Sequence, residues 1–400
     1  MNMTRQQLDA IMTQVLDLFP NVSDVVLTTG KVIQAEVDGV LRDAIINPDL
    51  GRLSPLVTKA MALALIGENA RLQKSLAAKG SCDLSYALTG RGRFRVNIFS
   101  QRGSLAMVMR RLPSRIPTME ELGLPLAFQE MAKEKNGLIL VTGGTGSGKS
   151  NSLAALIDRI NTNLAGHIVT LEDPVEFTHP HKAGTVNQRE LGIDFDTFAS
   201  GLRAAFRQGP KVILVGEIRD PETMEIALQA AGTGHLVLST LHTTDTGATI
   251  SRVLGLFGPQ EERLIRMRLA ECLRYIVSQR LLPKVGGGRV AVFEVLKNTM
   301  RVKELILQGE SGEKTFYNVL ESSGTYGMQT FDQHLLRLFE AGDITEETAL
   351  LSASDRSRLA QLIDKVKTKK GERVSTLVIE GLDEGGADVS GGLDAGLQKR

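Results

Sequence analysis

Residues 143–150 read GGTGSGKS, and this stretch restricts the fold more than any other part of the chain. It fits the pattern GxxxxGK[ST], it follows the apolar run "GLILVT", and a helix is predicted to continue from 149 to about 163. Glycines let backbone N–H groups curl round a phosphate, and the N-terminus of the following helix adds a partial positive charge. Such a loop needs a buried strand that turns directly into a helix. The chain is therefore predicted to contain a parallel α/β sheet that binds a nucleoside triphosphate.

The predicted phosphate contacts are the loop itself and the first residues of its helix. Lys149 is expected to reach the β- and γ-phosphates, and the Ser150 hydroxyl is expected to ligate Mg²⁺. The full predicted nucleotide-binding set is Gly143, Gly144, Thr145, Gly146, Ser147, Gly148, Lys149, Ser150 and Asn151.

Acidic residues end two of the predicted strands. "TLEDPVEF" places Glu172 and Asp173 before a proline, and "KVILVGEIRD" carries Glu217 beside Gly216, which stands where many phosphate-loop proteins have an aspartate. In an open α/β sheet ligands bind at the carboxyl ends of strands, so these acids should face the nucleotide. We assign Glu172 as the base that orients the attacking water, and Glu217, through water, as an Mg²⁺ ligand together with Ser150. The reverse assignment of the two glutamates stays open on sequence grounds.

A histidine stands at the end of a further predicted strand. His242 closes "HLVLSTLH", and this position favours a role in sensing the nucleotide at the same sheet edge. Lone histidines are more often structural, and His179 and His181, which fall in a predicted loop, offer no comparable argument.

The order of patterns along the chain indicates two folded units. Residues 1–112 combine a helical start, a hairpin signal at Asp38-Gly39, a helical stretch over 54–79 and paired strands around "RFRVNIFSQRG", so we predict a small α/β domain. In "RGRFRVNIFS" the alternation places Arg95 on the face opposite the apolar residues.

The second unit begins after a proline-rich segment. Residues 113–125 contain three prolines and are predicted to be a linker. From 126 to 369 apolar strands alternate with helices, and helices are predicted to fill most of 246–282 and 299–365. Residues 370–400 contain seven glycines and no helical period, so a disordered tail is predicted there.

Charge and cysteine content exclude several classes of protein. Lys and Arg number 47 against 46 for Asp and Glu, and aromatic residues make up 4%, which argues against a nucleic-acid motor with a basic channel and against any nucleic-acid partner. The two cysteines, Cys82 and Cys272, support neither a disulfide framework nor a zinc ribbon. The chain has no apolar signal core and no run near the ~20 apolar residues that span a bilayer, so we expect a cytosolic protein that meets the membrane only through a partner.

Taken together, these motifs resemble the secretion-type ATPases and, within them, the type IV pilus retraction motors PilT and PilU. "GGTGSGKS" is similar to the family's phosphate loop, "LEDPVEF" to its Asp box, "LVGEIRD" to its atypical Walker B and "GTGHLVLSTLHT" to its His box. The resemblance covers roughly 20–365 and includes "NQRELGID", "RLLPKVGGGRVAVFEVL" and "GMQTFDQ", of which the last indicates the retraction branch. The lack of a long N-terminal extension and of a cysteine quartet favours the same branch, and the polar tail leans weakly toward PilU.

The resemblance implies a domain architecture and an oligomeric assembly. A PAS-like N-terminal domain over 1–112 would precede a RecA-like ATPase domain with a helical C-terminal extension over 126–369, in a homohexameric ring. ATP and Mg²⁺ would sit between the two domains of one subunit, and arginines of a neighbour would complete the site. The matching positions are Arg95 and Arg110, with Arg111 as an adjacent alternative to Arg110.

The implied function is an ATP-hydrolysing motor for pilus retraction and twitching motility. Its implied partners are an inner-membrane platform protein of the PilC type and, as one option, a paralogous retraction ATPase, with the ring held at the cytoplasmic face of the inner membrane. A secretion or pilus-extension ATPase and a weakly active regulatory paralogue in a mixed motor are the alternatives. Departures from the family pattern at Asn151, Gly209, Lys211 and Gly232 leave the predicted phosphate contacts and carboxylates in place.

Overall fold

A computed structural model describes residues 3–370, and residues 371–400 of the predicted tail lie outside them. Two sheets organise these residues, one of six strands and one of seven. Each sheet has its own hydrophobic core, and the core of the six-stranded sheet draws on buried residues from Leu8 to Met109.

The N-terminal unit is an antiparallel sheet with three helices. Its strands follow the order β3-β2-β1-β6-β5-β4. The elements are α1 (Arg5–Leu18), β1 (Asp24–Leu27), β2 (Gln34–Val37), β3 (Val40–Asp43), α2 (Pro55–Ile66), α3 (Ala70–Lys79), β4 (Ser81–Leu88), β5 (Gly92–Gln101) and β6 (Ser104–Arg111).

Turn chemistry explains two local features of this unit. The predicted hairpin is confirmed: Asp38 and Gly39 both have positive φ, 53° and 76°, as a two-residue turn between β2 and β3 requires. The helical stretch predicted over 54–79 is instead two helices, because Gly67 with φ +58° ends α2 and the Asn69 side chain caps α3.

The second unit, predicted to be the ATPase unit, is a mostly parallel sheet in the order β13-β12-β7-β11-β10-β8-β9, in which only the pairing of β12 with β13 is antiparallel. Its strands are β7 (Gly137–Thr142), β8 (His167–Glu172), β9 (Thr185–Glu190), β10 (Val212–Val215), β11 (Leu236–Leu241), β12 (Leu273–Pro283) and β13 (Arg289–Lys297). Because β7, β8, β10 and β11 run the same way, the phosphate loop and the predicted acidic ends meet at one edge.

Helices cover both faces of this sheet and extend beyond it. They are α4 (Ala127–Met131), α5 (Lys149–Asn163), α6 (Phe198–Ala205), α7 (Pro221–Gly232), α8 (Thr246–Leu254), α9 (Glu262–Cys272), α10 (Met300–Gln308), α11 (Phe316–Ser322), α12 (Phe331–Glu340), α13 (Glu346–Leu351) and α14 (Arg356–Lys370), with 3₁₀ turns at Phe206–Gln208 and Gly324–Tyr326. The last three helices pack on Val292 of β13 through a separate apolar cluster that includes Phe331 and Ile363. Among residues 3–370, no helix combines the length and the apolar character needed to cross a membrane.

The helical prediction for most of 246–282 was wrong at its C-terminal end. α9 stops at Cys272, and the next residues form β12, which pairs with β7 on one side and β13 on the other. Tyr275, Ile276 and Val277 are buried there, and β-branched and aromatic side chains suit a strand in the middle of a sheet.

The segment between the two units belongs partly to the second one. Residues 113–125 contain no helix or strand, as predicted for a linker. Met119 is nevertheless buried, and it belongs to the same core cluster as Phe128 and Met131 of α4. The boundaries at 112 and 126 themselves stay a prediction.

The N-terminal unit rests on the sheet edge that carries the acidic residues. Ser85 Oγ of β4 donates to Glu190 Oε2 of β9 at 2.8 Å. Arg93 of β5 donates from Nη1 to Thr178 Oγ1 at 3.2 Å. These contacts bring β5 close to the end of β8, and so to the predicted site.

Candidate nucleotide site

The phosphate loop joins β7 to α5 and folds round the ammonium group of Lys149. Nζ donates to the carbonyl oxygens of Gly143 at 2.8 Å and Gly144 at 2.9 Å. Gly143 has φ +141°, and a Cβ at this position would lie 2.3 Å from the carbonyl oxygen of Gln279. Only glycine fits there, so the tight path of the loop depends on this residue.

Two buried polar groups in this loop are suited to binding an anion. Lys149 is 9% exposed, and burial lowers the pKa of its ammonium group, while the carboxylates of Glu176 and Glu217 act in the opposite direction. The Ser147 hydroxyl is buried and has no hydrogen-bond partner among residues 3–370. A phosphate group would supply a countercharge for the first and an acceptor for the second.

Glu172 is the last residue of β8, and donors on two strands hold its carboxylate. Oε1 accepts a hydrogen bond from Thr170 Oγ1 at 2.6 Å and one from Gln188 Nε2 at 3.0 Å. Burial raises the pKa of this carboxyl above its usual range, and the two hydrogen bonds oppose the rise. A carboxylate that burial makes more basic, and that neighbours orient, has the properties of a general base.

Glu217 lies two residues beyond β10, at the same edge of the sheet. Its side chain is 16% exposed, and Oε1 lies 2.7 Å from Nη2 of Arg219. Oε2 lies 3.6 Å from Nε2 of His242, the residue after β11. The carboxylate thus links the ends of two neighbouring strands, and His242 is placed to respond to a change at Glu217.

A cavity of about 370 Å³ brings these groups together. It is bounded by the phosphate loop, both acidic strand ends, the His242 loop and one side chain of the N-terminal unit. Its polar lining comprises Thr145, Lys149, Ser150, Glu172, Asp173, Glu176, His179, Glu217, Arg219, Thr240, His242 and Arg95.

A second cavity, of about 680 Å³, opens on the other side of the loop. Gly148 and Asn151 line it, together with Gln279, Leu281 and Glu121. Six of the nine residues predicted to bind the nucleotide therefore line one or both of these spaces, with Gly146, Lys149 and Ser150 lining both. Gly143, Gly144 and Ser147 line neither.

The two predicted arginines have different surroundings within one subunit. Arg95 lines the smaller cavity of its own subunit, and its charge lowers the pKa of Asp173 against the larger effect of burial, which raises it. Arg110 is the direct cross-strand partner of Arg95, but its Nε donates to Asp24 Oδ1 at 2.9 Å and its side chain is 70% exposed. Arg111 donates to the carbonyl oxygen of Pro20. Arg95 is thus available to its own site, whereas Arg110 lies outside both cavities.

Several residues at or beside the cavity were missed from the sequence. Arg219 stands two positions after Glu217, so the strand-end argument could have found it. Gln188 bonds to Glu172 from outside the cavity, and it lies on β9, an edge strand that the patterns did not predict. His179 was set aside as a loop residue, but it is buried and lines the cavity, and burial lowers its pKa to about 4, so its ring is neutral near pH 7.

The oxygen atoms at this edge fit Mg²⁺. Magnesium takes oxygen ligands and in nucleotide sites usually keeps waters and phosphate oxygens beside one or two protein groups. The Ser150 hydroxyl and the Glu217 carboxylate line the same cavity. Within residues 3–370 no cluster of three or more His, Cys, Asp or Glu side chains could hold a metal ion.

Comparison with known proteins agrees with this geometry. The family model for the type II/IV secretion system proteins matches residues 5–287. The type IV pilus ATPase PilU of Pseudomonas aeruginosa is 39% identical over 89% of this chain and 91% of its own length. The type IV pilus retraction ATPase PilT of the same organism is 42% identical over 82% of this chain and 93% of its own.

A solved structure extends the likeness to three dimensions. The crystal structure of the pilus retraction motor PilT with bound ADP is 41% identical, covers 88% of this chain and 98% of its own, and superposes with a TM-score of 0.78. This match confirms the predicted fold class, an N-terminal α/β domain followed by an ATPase domain with C-terminal helices. The chain is therefore an ATPase that belongs to the type II/IV secretion system protein family and groups with the type IV pilus retraction ATPases PilT and PilU.

Proposed function

We propose that this ATPase powers type IV pilus retraction, and with it twitching motility, by moving its N-terminal unit against its ATPase unit during ATP hydrolysis. One observation carries the mechanical part. Arg95 of the N-terminal unit lines the same cavity as Lys149 and Glu172 of the ATPase unit. The similarity to PilT and PilU supports the proposal that the work done is the retraction of a pilus.

Each side chain at the cavity has a task in the proposed hydrolysis. Glu172 orients the attacking water and accepts its proton. Lys149 and Arg95 place positive charge against the phosphate oxygens, where negative charge develops. Ser150 and Glu217 would hold Mg²⁺, which neutralises charge on the β- and γ-phosphates when bound. His242 would sense the nucleotide through Glu217.

Hydrolysis can move the N-terminal unit because its contacts near the cavity are few. They include single hydrogen bonds from Ser85 to Glu190 and from Arg93 to Thr178, and an ion pair between Arg93 and Glu190 at 3.9 Å. Hydrogen bonds with a charged partner contribute about 1.5–3 kcal/mol each. The attraction between Arg95 and a γ-phosphate is of similar or larger size, so its loss would change the preferred position of the unit.

The proposed assembly follows the resemblance to the pilus motors. The chain would form a homohexamer in the cytoplasm and dock on a PilC-like platform protein of the inner membrane. A paralogous retraction ATPase would share the ring or the platform if this chain acts as a regulatory subunit.

Deletion of the gene in the source organism tests whether the motor retracts pili or extends them. We expect cells with more surface pili than wild type and no twitching motility, because pili are extended but not withdrawn. Pilus counts by electron microscopy and colony spreading measure both. A strain that carries the Lys149→Ala protein should behave as the deletion does if hydrolysis supplies the work. Cells that lose their pili would indicate an extension motor, and cells with normal pili and lost secretion a secretion ATPase.

A mixing experiment tests whether Arg110 acts on a neighbouring subunit. Arg110→Ala and Lys149→Ala rings should each be inactive. In a mixture, a subunit with a sound phosphate loop can lie beside one with an intact Arg110, so that interface has every part and some hydrolysis should return. An arginine that serves its own subunit allows no such rescue at any ratio.

Two controls make the mixing result decisive. Labelled protein must show that subunits exchange between rings. Arg115→Ala is the matched variant, since Arg115 is also 70% exposed and paired with an acid, Glu121, and it should remain active alone. If subunits exchange and the mixture stays as inactive as its parents, Arg110 does not act in trans.

A further inference from the structure

The edge strand β9 holds the segment that follows Glu172. It pairs in parallel with β8, so that Thr170 lies opposite Gln188 and Glu172 opposite Glu190. The side chains of Gln188 and Glu190 fall on the same side of the strand, since they are two residues apart. Both reach the segment 172–179, which carries three of the four acidic residues of the cavity, Glu172, Asp173 and Glu176.

Both the nitrogen and the oxygen of the Gln188 side-chain amide form hydrogen bonds to this segment. Nε2 donates to Glu172 Oε1 at 3.0 Å and to the carbonyl oxygen of Phe177 at 2.7 Å. Oε1 accepts from the backbone N–H of His179 at 2.8 Å. The orientation of the amide is determined by these partners, because a reversed amide would place its oxygen against two acceptors.

Glu190 secures the end of the same strand. Its Oε2 accepts from Ser85 Oγ at 2.8 Å and from the backbone N–H of Val175 at 3.2 Å. The strand therefore cannot shift without breaking bonds both to the segment 172–179 and to the N-terminal unit. β9, which carries Gln188, is thus bonded both to the segment 172–179 and to the N-terminal unit.

We propose that Gln188 is the positioning residue for the catalytic carboxylate: it fixes the Oε1 atom of Glu172 and the loop behind it, so that the other oxygen, Oε2, faces the attacking water. This inference rests on the proposed role of Glu172 as the base. Gln188 does not line the cavity shared by Lys149 and Glu172, so it acts on hydrolysis through Glu172 and not through nucleotide contacts.

The pH dependence follows from the groups around Glu172. Burial raises its pKa, the hydrogen bonds from Thr170, Gln188 and the Glu176 backbone lower it, and the Glu176 charge raises it. The other charged or titratable side chains of the cavity come from the N-terminal unit, α5, the segment 172–179 and the ends of β10 and β11: Arg95, Lys149, Asp173, His179, Glu217, Arg219 and His242. A base works as the carboxylate, so activity is lost as the pH falls through its pKa. Removing the Gln188 donor favours the protonated form and moves this loss to higher pH.

Gln188→Met is the informative variant, because methionine keeps the length of the side chain and removes the amide. With purified full-length protein we expect kcat to fall by about 10- to 100-fold, since a small displacement of a base has effects of this size. The KM for ATP should stay within about twofold, as expected when only the transition state is affected. The acid limb of the kcat profile should move to higher pH.

Asn187→Ala is the matched control. Asn187 is the preceding residue of β9, faces the other way and bonds to the partly exposed His167, so its loss should leave kcat and the acid limb unchanged. Gln188→Glu serves if the methionine variant does not fold. It keeps the size of the side chain and sets a carboxylate against Glu172, which should move the acid limb to higher pH.

The outcomes separate this proposal from the one it rests on. A lower kcat with unchanged KM and a shifted acid limb supports positioning by Gln188. A wild-type kcat with an unchanged acid limb overturns it. A lower melting temperature together with weaker ATP binding and an unchanged acid limb also overturns it, because these are the effects of a purely structural residue. If Glu172→Gln keeps its turnover, the assignment of the base itself fails, and the role of Gln188 fails with it.

Discussion

Lys149→Ala is expected to abolish ATP hydrolysis, with a fall in kcat of roughly 10²–10³-fold or more, because it removes a charge aimed at the phosphate oxygens. The fold should survive. The Gly143 and Gly144 carbonyls lose a donor, at a cost of about 1–2 kcal/mol in the free energy of unfolding. Burial of the ammonium group already disfavours its charged form, so removing that group offsets part of this loss. Phosphate release and thermal melting measure the two effects.

Lys133→Ala is the matched control for this change. Lys133 is 72% exposed and pairs with Glu130 on the surface, so its loss should leave both the rate and the melting temperature near wild type. ATPase activity close to wild type in Lys149→Ala would contradict the nucleotide site at the phosphate loop, and with it the proposed motor.

Glu172→Gln should still bind Mg-ATP and lose its turnover, with kcat lower by roughly 10²–10⁴-fold, the usual contribution of a general base. Glutamine keeps the shape and the hydrogen-bond acceptor but cannot take a proton. Because burial disfavours the charged carboxylate, the neutral amide should leave the melting temperature unchanged or raise it. Nucleotide binding measured alongside single-turnover hydrolysis tests this.

Glu217→Gln provides the contrast that separates the two glutamates. If Glu217 holds Mg²⁺ through water, the Mg²⁺ concentration for half-maximal activity should rise by about tenfold or more, as for other outer-shell ligands. Glu172→Gln should leave the metal dependence of ATP binding unchanged. Metal titrations of both variants test the assignment: reversed curves would mean that Glu217 is the base and Glu172 the metal ligand, and identical curves would not distinguish the two roles.

Much of the ATPase fold could be predicted because its signals are local. The helix predicted from 149 to about 163 is α5, Lys149–Asn163, since the glycine loop that starts it and the apolar spacing that continues it lie within one short stretch. β12 was predicted as helix because it is buried on both faces over most of its length, so its sequence, LRYIVSQRLLP, lacks the strict alternation that marks a half-buried strand. β9 gave no signal because its sequence, TVNQRE, is largely polar, as is common for a strand at the edge of a sheet.

The sequence by itself determined which residues can hold a phosphate and which acids end parallel strands, because both depend on short-range backbone geometry: the glycines before Lys149, and the strand ends at Glu172, Glu217 and His242. Only the tertiary structure decided which groups reach those residues. Arg95 and Arg110 are cross-strand partners on one face, yet Arg95 enters its own cavity and Arg110 pairs with Asp24. That difference depends on how the N-terminal unit packs against the ATPase unit, and it cannot be inferred from the spacing of residues in the sequence.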